Sequence, residues 1–190
     1  MSETLVIVLR AASLLAIPVP MLLIRRYRRA PNLRAGHGHG NRVPFVANVT
    51  ALVLFYLMLF IFPGTLLGAT LLLALAGCIL AVAGAAIVLR ARMELGPAWS
   101  FVPVAEEATG LVTTGPYRLV RHPIYLGLSV LALGQALAFA SRPAFLVLLT
   151  VVIPTFVWRA GAEEKVLTGT LGERYALYQT QTGKIIPRLW

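Results

Sequence analysis

The sequence predicts an all-α, polytopic membrane helix bundle of about five transmembrane helices, the last two forming a C-terminal helical hairpin. Three observations carry that expectation. Of the 190 residues, 58% are hydrophobic and 13% charged, about half the share of charge in an ordinary soluble domain. Mean hydropathy is +0.81. The charges gather in clusters between apolar runs that carry Leu, Val and Ile on every face, which a helix in lipid tolerates and a soluble helix does not. The length fits a single domain over 1–190.

A spanning helix needs roughly 20 apolar residues, and the runs are read against that length in order. The first is Leu5 to Ile24, interrupted by Arg10, Pro18 and Pro20. Arg10 is near enough to the end of its run to snorkel. The second is about Phe45 to Phe62 and the third about Thr65 to Leu89, separated by the break Phe62-Pro63-Gly64. The fourth and fifth are Ile124 to Ala140 and Pro143 to Trp158, parted at Ser141-Arg142-Pro143. Both are short, so a re-entrant hairpin is the competing reading, and it would return the chain to the same side.

Basic residues orient the bundle. Arg25, Arg26, Arg28, Arg29, Arg34 and Arg42 fill the first loop, Arg90, Arg92, Arg118 and Arg121 the next, and Arg159, Lys165, Arg174, Lys184 and Arg188 the tail. Five spans put all three regions on one side and leave Arg10 and Arg142 of the 17 Lys and Arg for the other. The positive-inside rule makes the basic side cytoplasmic, with the N-terminus outside and the C-terminus inside. The net charge of +10 therefore reflects topology. No basic surface interleaved with aromatics suggests nucleic acid. Cys78, the only cysteine, lies in an apolar run and reads as packing. Met1 to Glu3 offers no basic n-region for a cleaved signal peptide.

Three polar constellations stand against this apolar background. Gly115-Pro116-Tyr117-Arg118 leads into Arg121-His122-Pro123-Ile124-Tyr125-Leu126-Gly127. Pro123 suits the first helical position. His122 then falls at the N-cap, at a helix end that carries free N–H groups and partial positive charge and can hold an electron-rich ligand group. Gly127 lets a ligand or another helix come close. The second constellation is Trp158-Arg159-Ala160-Gly161-Ala162-Glu163-Glu164 at the end of the fifth run. Arg159 and Glu163 are four apart and share a helix face. Charge at the inner end of a span is either functional or a surface ion pair. The third is Leu171-Gly172-Glu173-Arg174-Tyr175-Ala176-Leu177-Tyr178, then Gly183-Lys184-Ile185-Ile186-Pro187. Its tyrosines either flank an aromatic ligand or dock a short amphipathic helix on the membrane. Gly36-His37-Gly38-His39-Gly40 has no Cys or carboxylate beside it and reads as a flexible loop, so no metal is expected. Walker, H-E-x-x-H and G-x-S-x-G signatures are absent, as are the alternating strands and helices of a dinucleotide-binding domain.

In this order, the three pieces resemble the isoprenylcysteine carboxyl methyltransferase and phospholipid methyltransferase family of integral membrane methyltransferases. The matching residues are Leu95-Gly96 with Trp99-Ser100, the segment Gly115 to Gly127, Arg159 with Glu163-Glu164 and Leu167, and Gly172-Glu173-Arg174-Tyr175 with Tyr178 and Pro187. The match runs from about Gly84 to the end, so 84–190 is the expected catalytic core and 1–80 a variable set of N-terminal helices. The resemblance implies methyl transfer from S-adenosylmethionine, bound in a pocket at the cytoplasmic mouth, to a lipophilic small molecule or lipid. Tyr117, His122, Pro123, Tyr125, Leu126 and Gly127 would line the cofactor site and Tyr175 would help close it. Arg159 and Glu163 would do the chemistry, with Trp158 and Glu164 beside Arg159 on the acceptor. Carboxyl O-methylation of an isoprenylcysteine-like or other small lipid leads, because a cation at 159 favours a carboxylate over an ammonium. A phospholipid-type N-methyltransferase is the alternative. An NADPH-dependent sterol-type reductase, usually much longer, and a non-catalytic membrane protein stand further off. No nucleic acid and no obligate protein partner are expected.

Overall fold

The computed structural model describes residues 2–16, 43–65, 71–96 and 111–187. These residues fold almost entirely as helix. Helix α1 is Ser2–Leu15, α2 Val43–Ile61, α3 Leu71–Leu95, α4 Pro123–Ala138 and α6 Glu173–Gln181. Between α4 and α6 one long helix, α5, runs Arg142–Leu171. A single 3-10 turn, Gly115–Arg118, precedes α4. Three helices, α2, α3 and α5, are long and apolar enough to cross a membrane, while α4 is apolar but shorter. The second to fifth runs thus become helices; the second and fourth have limits close to those expected, and the third extends about six residues further, to Leu95. Of the first run, the part beyond Ala16, with Pro18 and Pro20, lies outside the described residues. So do Arg25 to Arg42 with the Gly36 to Gly40 segment, Trp99-Ser100 and Arg188.

The fifth run departs most from expectation. It does not stop at Trp158 but continues to Leu171, carrying Arg159, Glu163 and Glu164 on one rigid rod. Hydropathy marks where lipid ends, not where helix ends. Pro154 lies inside this rod. Proline has no N–H and its ring crowds the carbonyl four residues back, and the helix answers by widening to a π turn over Leu148–Val152 just ahead of it. The rod ends at Gly172, whose φ of 53° is in the left-handed region that glycine enters without strain.

Helices α3 and α4 pack antiparallel at very close range. Gly77 and Gly84 are seven apart, and so are Gly127 and Gly134. A Cβ added at Gly77 would lie 2.3 Å from the backbone nitrogen of Ala138, and one at Gly84 2.3 Å from that of Leu131. One at Gly134 would lie 2.3 Å from the nitrogen of Ala81. A seven-residue repeat of small residues keeps one narrow stripe facing its partner, and small residues are what lets helices in lipid gain dispersion contact.

The other face of α4 builds the larger core. Phe55 and Leu59 of α2, Ala132 and Ala136 of α4, and Leu148, Val152 and Phe156 of α5 form one buried cluster. Gln135 is fully buried within it but satisfied: it accepts from the Tyr56 hydroxyl at 3.0 Å and donates to the Ser13 carbonyl at 3.2 Å. At the end where α4 stops, the two sharp breaks of the sequence dock on each other. The Gly64 amide donates to the Phe139 carbonyl (2.8 Å), and the Arg142 amide to the Thr65 hydroxyl (2.9 Å). Ser141 caps α5 through the Ala144 amide and donates to the Met58 carbonyl. Arg10 reaches this end as well, donating to the Ala138 carbonyl at 3.1 Å with its guanidinium over the Phe139 ring. It stabilises the negative end of α4.

Candidate functional site

The opposite end of the bundle gathers the charge. Pro123 opens α4 and His122 sits at its N-cap, as the sequence predicts, but the imidazole makes no capping bond. It is drawn instead toward α5. The segment before it is held by the tail: Val120 and Gly183 form a parallel bridge. The Arg121 amide donates to the Gly183 carbonyl (2.8 Å) and the His122 amide to the Lys184 carbonyl (2.9 Å). The 3-10 turn, the start of α4 and the chain after α6 thereby become one unit.

Glu164 is the buried anchor of this unit. Its Oε1 accepts from Arg121 Nε at 2.6 Å and lies 3.4 Å from His122 Nε2, while its Oε2 lies 3.1 Å from Lys184 Nζ. Arg121 also donates through Nη1 to the carbonyls of Gln179, at 3.1 Å, and Thr182. Burying ions stabilises only when partners satisfy them, and here both carboxylate oxygens and the guanidinium are engaged. Each of the three segments, α5, α4's leader and the tail, contributes at least one member.

Glu163, one residue earlier, is less buried and differently dressed. Its Oε1 accepts from the Tyr125 hydroxyl at 2.6 Å and from Arg159 Nε at 3.0 Å. Its Oε2 lies 3.6 Å from His122 Nδ1. The His122 ring therefore lies between two neighbouring carboxylates, its buried Nε2 making no hydrogen bond among the described residues. Tyr125 is fixed by ring stacking on both His122 (5.7 Å, 23°) and Phe156 (5.3 Å, 20°). The Arg159 guanidinium lies over two aromatic rings, 5.1 Å from Phe45 and 5.8 Å from Tyr125.

The tail tyrosines close the other side. Tyr175 and Tyr178 are buried and meet edge to face at 6.0 Å. Tyr178 donates to the Tyr117 carbonyl at 2.6 Å, which docks α6 on the 3-10 turn. Burial pushes the Tyr178 phenol up to about 12, against the opposing pull of Arg121 and its hydrogen bond with Thr182. Burial raises Tyr117 and Tyr175 further still. The Tyr175 hydroxyl is buried and finds no hydrogen-bond partner among the described residues. A buried polar atom left this way is costly unless something else meets it.

The structure therefore brings together Tyr117, His122, Pro123, Tyr125, Arg159, Glu163, Glu164 and Tyr175. It does not bring Gly127 there. A Cβ at Gly127 would lie 2.7 Å from Val88 Cγ2 and 2.9 Å from the Gly84 carbonyl, so this glycine serves the α3 contact, the helix reading of its two. Glu164 is tied to Arg121, His122 and Lys184, which leaves it an anchoring role instead of one on the acceptor. Leu126 is half-buried in the first turn of α4, and Trp158 is half-exposed, outside the charged cluster. Sequence reasoning gave no role to Arg121, Lys184 or Phe45. Their partners are 43, 20 and 114 residues away in sequence, beyond any local spacing rule, although Gly183-Lys184 beside a buried strand-like segment was a usable signal for a docked tail.

The family model for phospholipid methyltransferases matches residues 72–174, more than half of the chain. Protein-S-isoprenylcysteine O-methyltransferase A of Arabidopsis thaliana is 33% identical over 82 residues, 43% of this chain and 42% of its own length. The structure of a eukaryotic intramembrane Ras methyltransferase, isoprenylcysteine carboxyl methyltransferase, superimposes with a TM-score of 0.53 at 21% identity, over 81% of this chain and 55% of that one. The chain spans about half the length of these relatives, and the last comparison speaks for the fold alone.

Proposed function

Starting from a chain that belongs to the phospholipid methyltransferase family, we propose that it transfers a methyl group from S-adenosylmethionine to a lipophilic acceptor at the cytoplasmic membrane face. The reaction we favour is carboxyl O-methylation of an isoprenylcysteine-like or other small lipid. The observation that carries this reading is the Arg159 and Glu163 pair, held by Tyr125 and His122 at the basic end of the bundle. The catalytic core is assigned to 84–190, with the N-terminus outside and the C-terminus and site in the cytoplasm.

The residues present fit the cofactor. The orphaned Tyr175 hydroxyl offers a donor and acceptor to a polar ligand. Tyr117 and Tyr175 supply aromatic rings beside that hydroxyl, and Glu163 offers negative charge to a cation. When bound, S-adenosylmethionine supplies a methyl group already activated by its sulfonium charge.

A carboxylate acceptor needs no base. It needs placement and partial desolvation. Arg159 provides the placement. Its Nε is spent on Glu163, which fixes the plane of the guanidinium, and a planar fork suits a carboxylate. Glu163 in turn is kept in one orientation by the Tyr125 hydroxyl. The acceptor's apolar part stays in lipid and only its polar end enters.

N-methylation of a phospholipid amine is the second reading, favoured by the name of the matching family model and by Glu163. An ammonium acceptor must lose a proton first, and Glu163 would take it. Arg159 beside that carboxylate weighs against a cationic acceptor.

The test is calorimetric titration of the detergent-purified protein with S-adenosylmethionine and S-adenosylhomocysteine, with NADPH as control. It is followed by transfer of labelled methyl to N-acetyl-S-farnesylcysteine or to phosphatidylethanolamine vesicles. Saturable binding of the first two ligands and label in the farnesylcysteine support the reading. Binding of NADPH alone, or none in folded protein, rejects it. Label only in phosphatidylethanolamine moves the assignment to N-methylation. Arg159→Ala is expected to spare cofactor binding within about twofold and to abolish turnover, about 3 kcal/mol or more in transition-state stabilisation. Retained turnover removes Arg159 as the clamp on the acceptor.

A further inference from the structure

We propose that Phe45 of α2, together with Tyr125 of α4, forms an aromatic clamp that presets the Arg159 guanidinium for the methyl acceptor. Phe45 is thus a positioning residue supplied by the half of the chain that carries none of the family motifs. This rests on the methyltransferase reading above and adds to it a determinant of acceptor handling.

The argument is geometric. Arg159 is on α5, and the two rings over which its guanidinium lies come from two other helices, Phe45 at 5.1 Å and Tyr125 at 5.8 Å. Its side chain is 15% exposed, so the rings and Glu163 account for much of its cover. A guanidinium is weakly hydrated and stacks on aromatic faces, and the attraction grows as water is excluded. Glu163 fixes Nε by a hydrogen bond. Ring faces flanking the guanidinium restrict its orientation beyond what that bond sets.

Phe45 is itself placed by a device with no other evident purpose. Asn48, one turn further along α2, is buried, and its side-chain amide faces the Thr155 and Pro44 carbonyls; with its nitrogen assigned to that side, the orientation that satisfies both, it donates to them at 3.0 and 3.2 Å. Thr155 is one turn before Arg159 on α5. The start of α2 is therefore pinned to α5 at the level that puts Phe45 beside the guanidinium. A buried amide in an apolar helix is expensive unless it is hydrogen-bonded, and its bond to Thr155 ties α2 to α5 one turn before Arg159.

Two variants at position 45 test the clamp. Phe45→Leu keeps apolar volume and removes the π face, while Phe45→Trp keeps the face. Phe45 is 39% exposed, so both are expected to fold, as thermal unfolding in detergent checks. The assay measures kcat and KM for N-acetyl-S-farnesylcysteine, with S-adenosylhomocysteine affinity measured separately. The expected result is a loss of roughly five- to tenfold in kcat/KM for the acceptor in Phe45→Leu, recovery in Phe45→Trp, and cofactor affinity within twofold of the parent in both. Equal activity of Phe45→Leu and the parent overturns the clamp, as does an equal loss in both variants or a parallel loss of cofactor affinity. A parent protein that binds cofactor but turns over no acceptor rejects the acceptor assignment itself, and the role of Phe45 with it.

Discussion

Helix α4 has two seams, and they are built on opposite principles. Toward α3 it presents Gly127 and Gly134, which bring backbone against backbone. Toward α5 it presents Tyr125 and, at its head, His122, which reach across to Glu163 and Glu164. The first seam is set by close backbone approach at small residues. The second is a network of charged and aromatic groups whose members depend on one another. The difference shows how a small membrane protein places a polar site: a seam too tight to move on one side of a helix lets the other side hold hydrogen bonds to a few tenths of an ångström.

Breaking the glycine seam is expected to have the largest effect. Gly134→Leu puts a side chain where a Cβ alone would be 2.3 Å from a backbone nitrogen, and no rotamer relieves that. A loss of at least about 3 kcal/mol should appear as aggregation or a strongly lowered melting temperature in detergent. Near-normal stability would show that α3 and α4 separate freely and that the site needs no rigid backing.

The charged seam should fail next. Glu164→Ala leaves Arg121 buried without its carboxylate and removes the ion pair that ties Lys184 of the tail to α5. Losing one partner of a buried pair costs about 3–5 kcal/mol. Limited proteolysis after Leu171 should accelerate with it. An unchanged cleavage rate would mean that the backbone bonds to Gly183 and Lys184 hold the tail unaided.

A smaller and more specific effect is expected of His122→Ala: cofactor affinity falls about tenfold, close to 1.4 kcal/mol, as calorimetry with S-adenosylhomocysteine would show. Unchanged affinity in a folded variant confines His122 to packing between the two carboxylates.

The smallest effect concerns pH. The phenols of Tyr117, Tyr175 and Tyr178 are raised by burial, Tyr178 to about 12, whereas an unfolded tyrosine ionises near 10. Below about pH 10 both states hold these protons and the stabilisation is complete. Above it the unfolded chain loses them first and stability declines. Melting temperature should hold from pH 7 to 9 and fall from about pH 10 upward, less steeply in Tyr178→Phe. A flat profile to pH 11 would show that α6 is not docked through these rings.

Legibility followed the range of each interaction. The apolar runs, the break at Ser141, the N-cap at His122 with Pro123 after it, and the pairing of Arg159 with Glu163 all arise from residues within a few positions of one another, and hydropathy or helical spacing finds them. The seven-residue spacing of the glycines is equally local, but its meaning depends on a second helix with the same spacing and on which faces meet. The Tyr125 to Glu163 bond spans 38 residues, and Lys184 joins Glu164 only because the tail turns back beside Val120. The extension of α5 to Leu171 was hidden for another reason: its last turns are polar, so a search for lipid-compatible residues ends before the helix does.

The π turn at Leu148–Val152 sets the phase of everything after it. Each residue advances an α-helix by about 100°, so one residue more or less in this stretch turns the whole distal rod like a dial. Deleting a single residue there would leave composition, hydropathy and length nearly unchanged. It would also carry Arg159 and Glu163 off the α4 seam toward lipid, with every residue of the site still present and none of them facing another.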